Sequence, residues 1–411
     1  MLKERFKIKG RIRANHVLAV FFLCFIFYVG LAAMPQFLVN TGRTIQWQDD
    51  VFTYISRIDS QYTGMLENGN QYPCLQSKDT YIDLNGFLAK VLRQPMMNDR
   101  VTLKNGHLSH VVSQRPEPEE IRAAADNIIR FHNVHTASGG SFLFVMAPGQ
   151  ISKYEDLLPI GYTDTTNDTA DAFLALLDQA GVPYLDLREE MHRDGISAAE
   201  AYYTTDHHWL PQTGLWAYGK ILEKLHHMGA IDPVDSLYTD PDNFTFETYE
   251  NTFLGSSGKR TGIYYAGLDD SIYIRPNFET DISVRIPERQ LELRGTYEEV
   301  CYNTEAVHNY QDPDFYLENS YGLYGWGDNP ITHWRNDQAP QQKKFLLVGE
   351  SFGNIPFSLM SLPFSSCDEV DRRYFTEDFI AYYEEYAPDT VIIEVNVDMT
   401  ISENTTFAYP G

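Results

Sequence analysis

The stretch TDHHWLPQTG, near the middle of the chain, places one carboxylate and two imidazoles in consecutive positions. A serine or water nucleophile needs a base, and a histidine becomes an effective base when a carboxylate orients its ring. Asp206 and His208 lie two residues apart in a turn before a predicted helix, with His207 between them. Trp209 and Pro211 would make this turn rigid. The pattern therefore predicts an oriented general base.

A second stretch, FLLVGESFGN, offers a nucleophile for that base. An apolar run leads into a glycine-flanked turn that carries Ser351, and open α/β sheets bind ligands at the carboxyl ends of such strands. The letters fit G-x-S-x-G, the nucleophile elbow of α/β-hydrolases, in which Asp and His follow the serine. The last histidine here is His333, so the base must come from upstream, as Asp206 and His208 would allow. The structural alternative is a glycine-rich turn in which Ser351 caps a helix.

A metal site and a structural role are the alternatives for the DHH cluster, since histidine is a frequent ligand of divalent metals and aspartate a frequent helix cap. The further carboxylates that a metallophosphoesterase needs are missing. Other candidate ligands show no ligand spacing: His192, Asp186 and Asp164. We therefore expect neither a metal nor another cofactor.

The elements around both stretches alternate between helix and strand. Helical patterns run through PEPEEIRAAADNIIRFHNVH, TADAFLALLDQAG and the segment from Gln212 to about Met228, and strand patterns through GGSFLFVMAPG and VPYLDL. The same alternation resumes with KKFLLVGESFG, EDFIAYYEEYAPD and TVIIEVNVD. Fully apolar runs of strand length favour buried parallel strands. The fold class predicted is α/β, with a parallel sheet flanked by helices.

Composition shifts divide the chain into four predicted parts. They are a basic stub with a transmembrane anchor at 1–36, an N-terminal packing segment at 37–112, a catalytic domain in two halves at 113–230 and 341–411, and a β-rich insertion at 231–340.

The N-terminus predicts export from the cytoplasm. Six basic residues lie within the first 13 positions, and Val17 to Met34 carries no charge. A basic flank followed by an apolar stretch of about 18 residues is typical of a single membrane-spanning helix with its N-terminus in the cytoplasm. The alternative is a signal peptide cleaved after small residues such as Gly30 and Ala32. Both interpretations place the rest of the protein outside the cytoplasm.

Charge and cysteine content exclude several classes of protein. The 32 basic and 57 acidic residues give a net charge of −25, which argues against a nucleic-acid partner. Cys24 lies in the apolar stretch, and the other cysteines are too widely spaced for a disulfide framework or a CxxC metal site. One disulfide among Cys74, Cys301 and Cys367 stays open, without an indicated pairing.

The block AYYTTDHHWLPQTGLWAY resembles the signature of the DHHW family, relatives of the periplasmic alginate O-acetyltransferases in the SGNH-hydrolase-like group. The resemblance extends from about residue 40 to near the end of the chain through LKNGHL, FVMAPGQISKY, VPYLDLREEM, KKFLLVGESFGN, EVDRRYF and PDTVIIEVNVD. In this family the Asp-His pair precedes the serine, a circular permutation of the order in other SGNH hydrolases. The same permuted order is found here.

The resemblance implies roles for individual positions. Asp206, His208 and Ser351 would be the catalytic triad, and the Ser351 backbone N–H with Asn396 would form the oxyanion hole, with Asn354 as the runner-up. The sequence departs from the family at GES, where DS is more usual, and shows no clear counterpart of the oxyanion-hole glycine. Lys153 lies further along than the corresponding family lysine and is given no role.

The function implied is that of an extracytoplasmic serine O-acetyltransferase acting on a cell-surface polysaccharide, with a multi-span membrane O-acyltransferase as the partner that supplies acetyl groups. Six aromatic residues are candidates for stacking on sugars, led by Tyr203, Trp209 and Trp326 and joined by Tyr202, Trp216 and Trp334. A glycan acetyl esterase with the same triad and a non-catalytic glycan-binding scaffold are the alternatives.

Overall fold

The computed structural model describes residues 20–24, 27–28, 78–302, 315–406 and 409. The chain divides into two compact units, Met1–Leu84 and Asn85–Gly411. In the first unit, 20–24 and 27–28 are helical and exposed. Among the described residues, no helix has the length and apolar character needed to cross a bilayer. Most of the predicted span from Val17 to Met34 lies outside those residues, so the anchor stays a prediction.

The strands, numbered along the chain, are β1 Met96–Met97, β2 Arg100–Thr102, β3 Leu108–Ser109, β4 Ser141–Ala147, β5 Tyr184–Asp186, β6 Phe244–Phe253, β7 Asp269–Pro276, β8 Ile282–Ile286, β9 Leu291–Gly295, β10 Ile331–Arg335, β11 Gln341–Val348, β12 Phe364–Val370 and β13 Thr390–Asn396. Within the described residues, eight of them form one sheet in the order β5-β4-β13-β11-β12-β10-β8-β9. One smaller sheet contains β1, β2 and β3 in that order, and another pairs β6 with β7.

The helices are α1 Lys78–Val91, α2 Pro118–Ala137, α3 Thr166–Gln179, α4 Leu187–Arg193, α5 Ala198–Ala201, α6 Pro211–His227, α7 Ser256–Thr261, α8 Ile263–Ala266, α9 Tyr297–Cys301, α10 Asn354–Met360, α11 Phe379–Tyr386 and α12 Glu403–Thr406. Short 3-10 turns include Ser351–Gly353 and Tyr321–Leu323. The helices and strands predicted in the α/β part are present within a few residues of their predicted ends.

The central sheet is buried on both faces at β4, at β13 and in the second half of β11, which explains the uninterrupted apolar runs there. In β4, Phe142 and Phe144 pack into the core on one face, whereas Leu143 and Val145 pack into the core on the other. Successive side chains of a strand point to opposite faces, so a strand between two cores needs apolar residues at every position.

The sheet is mixed rather than purely parallel, which corrects the sequence prediction. Neighbouring strands from β5 to β12 pair in parallel, but β10, β8 and β9 extend the sheet with antiparallel pairing. These three strands come from the predicted insertion at 231–340, so the insertion extends the central sheet. Strand β12 was not predicted, because FSSCDEV has polar residues at most positions.

The cysteines form no disulfide within the described part of the chain, where Cys24, Cys301 and Cys367 are free thiols. Cys74 lies outside the described residues.

Candidate active site

The candidate nucleophile lies where β11 ends at the carboxyl edge of the sheet. Ser351 begins a single 3-10 turn and is 9% exposed to solvent. Glycines flank the turn because the ring of Phe357 packs against it. A Cβ atom at Gly349 or Gly353 would lie 2.6 or 2.7 Å from that ring. A residue with a side chain in place of either glycine would push the turn that carries Ser351 away from α10, the helix of Phe357.

The candidate base lies in the loop between α5 and α6. The element before this loop is the short helix α5 rather than a strand. The loop nevertheless reaches the same edge of the sheet. Gln150, just after β4, donates hydrogen bonds from Nε2 to the carbonyl oxygens of Tyr203 and Asp206, at 3.0 and 2.9 Å.

The structure brings Asp206, His208 and Ser351 into one hydrogen-bonded chain. His208 Nδ1 lies 2.5 Å from Asp206 Oδ1, and His208 Nε2 lies 2.7 Å from Ser351 Oγ, across 143 positions of sequence. With Asp206 ionised, Nδ1 carries the hydrogen and Nε2 accepts from the serine hydroxyl. This is the arrangement in which an imidazole removes the proton of a nucleophile.

Asp206 is almost completely buried, and its surroundings stabilise the ionised form. Burial alone raises its pKa, but the charges of His208 and His207 and the hydrogen bonds from His208 and the Ser256 backbone hold the pKa well below its ordinary value. The Ser256 N–H donates to Oδ2 at 2.6 Å, and the His208 N–H donates to Oδ1 at 3.0 Å. The carboxylate is therefore held in place and charged, as an orienting group must be.

The ring of His208 packs against a tyrosine that lies outside the two sequence motifs. Tyr321 stacks on it with ring centroids 3.9 Å apart and an angle of 9° between the planes. The Tyr321 hydroxyl donates to the Ser351 carbonyl at 2.9 Å and accepts from Trp209 Nε1 at 3.1 Å. One ring thus fixes both the base and the nucleophile turn. No motif indicated this role, because Tyr321 lies in the predicted insertion.

Glu350, the residue that replaces the more usual Asp, connects the nucleophile to the neighbouring strand. Its Oε1 accepts from the Asn396 N–H at 3.1 Å, and its Oε2 accepts from the Phe352 N–H at 3.3 Å. Oε2 also lies 3.1 Å from Ser351 Oγ. Burial raises the pKa of Glu350, although the charges of Arg373 and His208 act in the opposite direction.

The oxyanion-hole candidates lie close to this chain of residues, and their roles stay predictions. Asn396 ends β13 and donates from Nδ2 to the Pro148 carbonyl at 2.7 Å, which leaves its second amide hydrogen for a ligand. Asn354 is buried, and its Nδ2 has no acceptor among the described residues. Gly149, in APGQ, lies beside Asn396. A Cβ atom there would lie 3.9 Å from Asn396 Oδ1.

A polar cleft of about 270 Å³ opens beside the triad. The lining residues include Gly149, Gln150, His207, Asn396, Arg100, His110, Arg260 and Asp398. His207 Nδ1 lies 2.9 Å from Ser256 Oγ, and about half of its side chain (48%) is exposed. The cleft therefore borders the catalytic loop at His207, the residue next to the candidate base.

The predicted sugar-stacking residues need correction. Tyr203 and Trp209 are 2% and 0% exposed, and Tyr202 and Trp334 are equally buried, so their rings cannot stack on a sugar. They support the site from inside the core instead. Trp326 is partly exposed, with its Nε1 donating to the Val300 carbonyl at 2.9 Å, and its role stays a prediction.

The alternative metal site has suitable ligand atoms within reach of one another. Atoms of Asp206, His207 and His208 lie within 4.8 Å. However, both ring nitrogens of His208 are already engaged, one with Asp206 and the other with Ser351. A metal would have to displace both hydrogen bonds, so the arrangement favours proton transfer over metal binding.

Comparison with known proteins agrees with this geometry. Residues 108–236, which include Asp206 and His208 but not Ser351, match the family described as SGNH hydrolase-like domain, acetyltransferase AlgX. The chain resembles the SGNH-like acetyltransferases. This resemblance, predicted from the sequence, is confirmed, and with the site geometry it supports an SGNH-like acyltransferase. No curated protein matches the chain in sequence.

Solved structures share the fold at low sequence identity. Bacillus cereus PatB1 has a TM-score of 0.63 and 17% identity, over 75% of this chain and 99% of that chain. The structure of PatB1 with a sulfonyl adduct has a TM-score of 0.61 and 16% identity, over 75% of this chain and 100% of that chain. A DHHW family protein from Eubacterium siraeum has a TM-score of 0.55 and 16% identity, over 75% of this chain and 94% of that chain. At these identities the likeness establishes the fold alone.

Proposed function

We propose that the protein is an extracytoplasmic, membrane-anchored O-acetyltransferase that modifies a cell-surface polysaccharide through an acetyl-enzyme on Ser351. The observation that carries the proposal is the chain from Asp206 through His208 to Ser351, with contacts of 2.5 and 2.7 Å. The match to an acetyltransferase family over 108–236 supports acetyl as the group transferred. The apolar segment after the basic N-terminus supports the location.

The geometry leads to a two-step transfer. His208 Nε2 takes the proton of Ser351 as Oγ forms a bond to the acetyl carbonyl carbon of the donor. The bond from that carbon to the donor's leaving atom then breaks, and His208 returns the proton to the leaving group. In the second step a sugar hydroxyl gives its proton to His208 and attacks the acetyl carbon, and Ser351 leaves with that proton.

The oxyanion formed in each step lies beside the turn that holds Ser351. The backbone N–H of Ser351 and the free amide hydrogen of Asn396 are the proposed donors. Loss of one such donor typically raises the barrier by about 2.7–4 kcal/mol. The donor of the acetyl group would be a multi-span membrane O-acyltransferase, since an exported domain has no direct access to a cytoplasmic acyl carrier.

A trapping experiment tests the serine mechanism. The purified protein is incubated with 4-nitrophenyl acetate and, separately, with a sulfonyl fluoride, a choice supported by the sulfonyl adduct of PatB1. We expect one acetyl or sulfonyl group on Ser351 by peptide mass spectrometry. Ser351→Ala should remain unlabelled and inactive. Full esterase activity in Ser351→Ala would exclude the mechanism and favour the metal interpretation of Asp206, His207 and His208.

An acceptor experiment separates a transferase from the alternative acetyl esterase. Cell-wall oligosaccharides are added to the 4-nitrophenyl acetate reaction, and acetylated sugar is measured against free acetate. With a transferase, the yield of acetylated sugar should rise and that of free acetate should fall as the acceptor concentration increases. Acetate release that no acceptor changes would identify an esterase.

A further inference from the structure

An exposed apolar patch lies on α1 and the residues that follow it. Its members are Phe87, Leu88, Val91, Leu92, Met96 and Tyr264, each between 47% and 67% exposed. The other large apolar side chains that are exposed at 97–302 and 315–406 come singly from separate elements: Tyr154, Ile160, Leu237, Tyr374 and Ile380. Isolated exposed apolar residues need no explanation, but a contiguous group indicates an interaction surface.

Helix α1 is apolar on two faces. Its inner face is formed by Gly86 and Ala89, and a Cβ atom at Gly86 would lie 2.2 Å from the Thr261 carbonyl oxygen of α7. Its outer face carries Leu88 and Val91, which lie on the same side of the helix at a spacing of three. Within the described residues, α1 therefore packs through its inner face, and its outer face is exposed.

The ring of Phe87 connects this outer face to α8. It meets the ring of Tyr264 edge to face, with centroids 6.4 Å apart. The patch is thus one surface built from two helices.

Basic residues surround the patch, although the whole chain has a net charge of −25. Lys90 and Arg93 are exposed on and just after α1, and the Arg260 side chain is 56% exposed at the end of α7. Asp99 is the one acid between residues 86 and 100, and its Oδ2 lies 3.0 and 3.4 Å from Arg100 and Arg260. Apolar side chains with a cationic rim match the surface of an anionic bilayer.

We infer that this patch is a docking surface for an anionic lipid bilayer. The apolar side chains of α1 and α8 enter the interface, and Lys90 and Arg93 lie at the level of the lipid head groups. The predicted anchor supports this choice, because α1 begins 44 positions after its last residue, Met34, and the anchor would keep the patch near the membrane surface.

The position of the patch has a consequence for the active site. Arg260 belongs both to the cationic rim and to the lining of the cleft beside His207. Docking therefore brings the Arg260 side of the cleft close to the membrane surface. There it could take acetyl groups from a membrane-embedded donor, whereas the soluble acceptor chain would approach along the surface.

A fluorescence-quenching experiment on the full chain tests the inference. Cys24 and Cys74 are replaced by serine, and an environment-sensitive fluorophore is attached to Leu88→Cys or, as the matched control, to Ile380→Cys on α11. The protein is reconstituted in vesicles of phosphatidylcholine and phosphatidylglycerol that carry a nitroxide-labelled lipid. We expect several-fold stronger quenching at position 88 than at position 380.

Charge reversal is the second part of the test. Lys90→Glu with Arg93→Glu should reduce the quenching at position 88 toward the control value, with little effect in vesicles of phosphatidylcholine alone. Turnover of 4-nitrophenyl acetate should be unchanged, so failure of docking and failure of the serine mechanism are distinguished. Equal quenching at the two positions would overturn the inference.

Discussion

Ser351 has one hydroxyl hydrogen and two acceptors within reach. His208 Nε2 lies 2.7 Å from its Oγ, and Glu350 Oε2 lies 3.1 Å away. Only the first of these contacts leads to catalysis. An ionised Glu350 competes for the hydrogen, whereas a protonated Glu350 donates to Oγ and leaves the serine hydrogen to His208. The raised pKa of Glu350 extends the second state to higher pH than in an exposed glutamate.

Substitutions in the triad should act as a unit. Ser351→Ala and His208→Ala should each reduce kcat for 4-nitrophenyl acetate by about 10⁴- to 10⁶-fold. Ser351 needs His208 as its base, and His208 has no nucleophile to deprotonate without Ser351. Asp206→Ala should cost less, since an unoriented imidazole can still accept a proton. His207→Ala is the control and should retain most of the activity. A loss in His207→Ala equal to that in His208→Ala would contradict these roles.

Glu350→Gln should change the pH dependence of the same reaction. In the wild type we expect activity to fall as pH rises through the raised pKa of Glu350, because the ionised carboxylate competes for the serine hydrogen. The amide cannot ionise, so this loss should disappear, at a cost of about tenfold in kcat for one weakened hydrogen bond. The measurement is kcat against pH for both proteins.

Glu369→Gln is the matched control for Glu350. Burial raises the pKa of Glu369 to about 8, but its carboxylate accepts from Trp334 Nε1 at 3.3 Å. The loss of activity with rising pH should therefore persist in this variant. An unchanged loss in Glu350→Gln would assign it to another group.

At the scale of elements, α7 positions the triad without taking part in it. The helix begins at Ser256, whose backbone N–H donates to Asp206, and it is preceded by Gly255. A Cβ atom at Gly255 would lie 2.3 Å from the Asp206 Cβ and 2.7 Å from its backbone nitrogen. The backbone of the catalytic loop occupies that space, so it cannot yield as a flexible side chain would.

Gly255→Ala should therefore reduce activity strongly and lower stability. The added methyl group separates Ser256 from Asp206 and removes a charge-assisted hydrogen bond of the orienting carboxylate. Gly219→Ala in α6 is the matched control, because no atom lies within 4 Å of its Cβ position. That change should leave kcat intact and raise the free energy of unfolding by up to about 1 kcal/mol. Equal activity in the two variants would show that the close approach at Gly255 is unimportant.

At the scale of the whole molecule, the buried carboxyl groups make stability depend on pH. Glu394 on β13 is fully buried, and a Cβ atom at Gly349 would lie 3.2 Å from its Oε2, so its carboxyl group lies behind the nucleophile turn. No hydrogen bond of normal geometry reaches its two oxygens within the described residues, although the Glu350 backbone N–H lies close enough to favour the charged form. Burial comes first, and repulsion from Glu350 when that neighbour is ionised comes second, in raising the pKa of Glu394 well above its ordinary value.

Glu394→Gln should flatten the pH dependence of stability. Above about pH 4.3 the unfolded chain releases the Glu394 proton while the folded protein keeps it, so the free energy of unfolding falls as pH rises toward the folded pKa. One such group contributes at most about 1.4 kcal/mol per pH unit. Urea unfolding between about pH 5 and pH 8 should show a smaller decrease in the variant. Parallel curves for the two proteins would mean that Glu394 is ionised in the folded state.

The sequence alone indicated the candidate catalytic residues and the class of fold. Apolar runs mark buried strands because a strand between two cores needs apolar residues on both sides, and the spacing of Asp206 and His208 is local enough to indicate an oriented base. Ser351 was assignable because a glycine-flanked turn after a buried strand has few structural solutions. The resemblance to the SGNH-like acetyltransferases rests on these same short blocks.

Only the tertiary structure decided which distant residues complete the site. Tyr321 and Ser256 come from a region whose strands could not be assigned to the central sheet, because antiparallel extension depends on long-range pairing that leaves no local pattern. Tyr203 and Trp209 resembled exposed sugar-binding rings, since aromatic residues suit a core and a binding surface equally well and only burial separates the two. The role of Glu350 depends on its distances to Ser351 and to the end of β13, and a one-dimensional sequence contains no such distances.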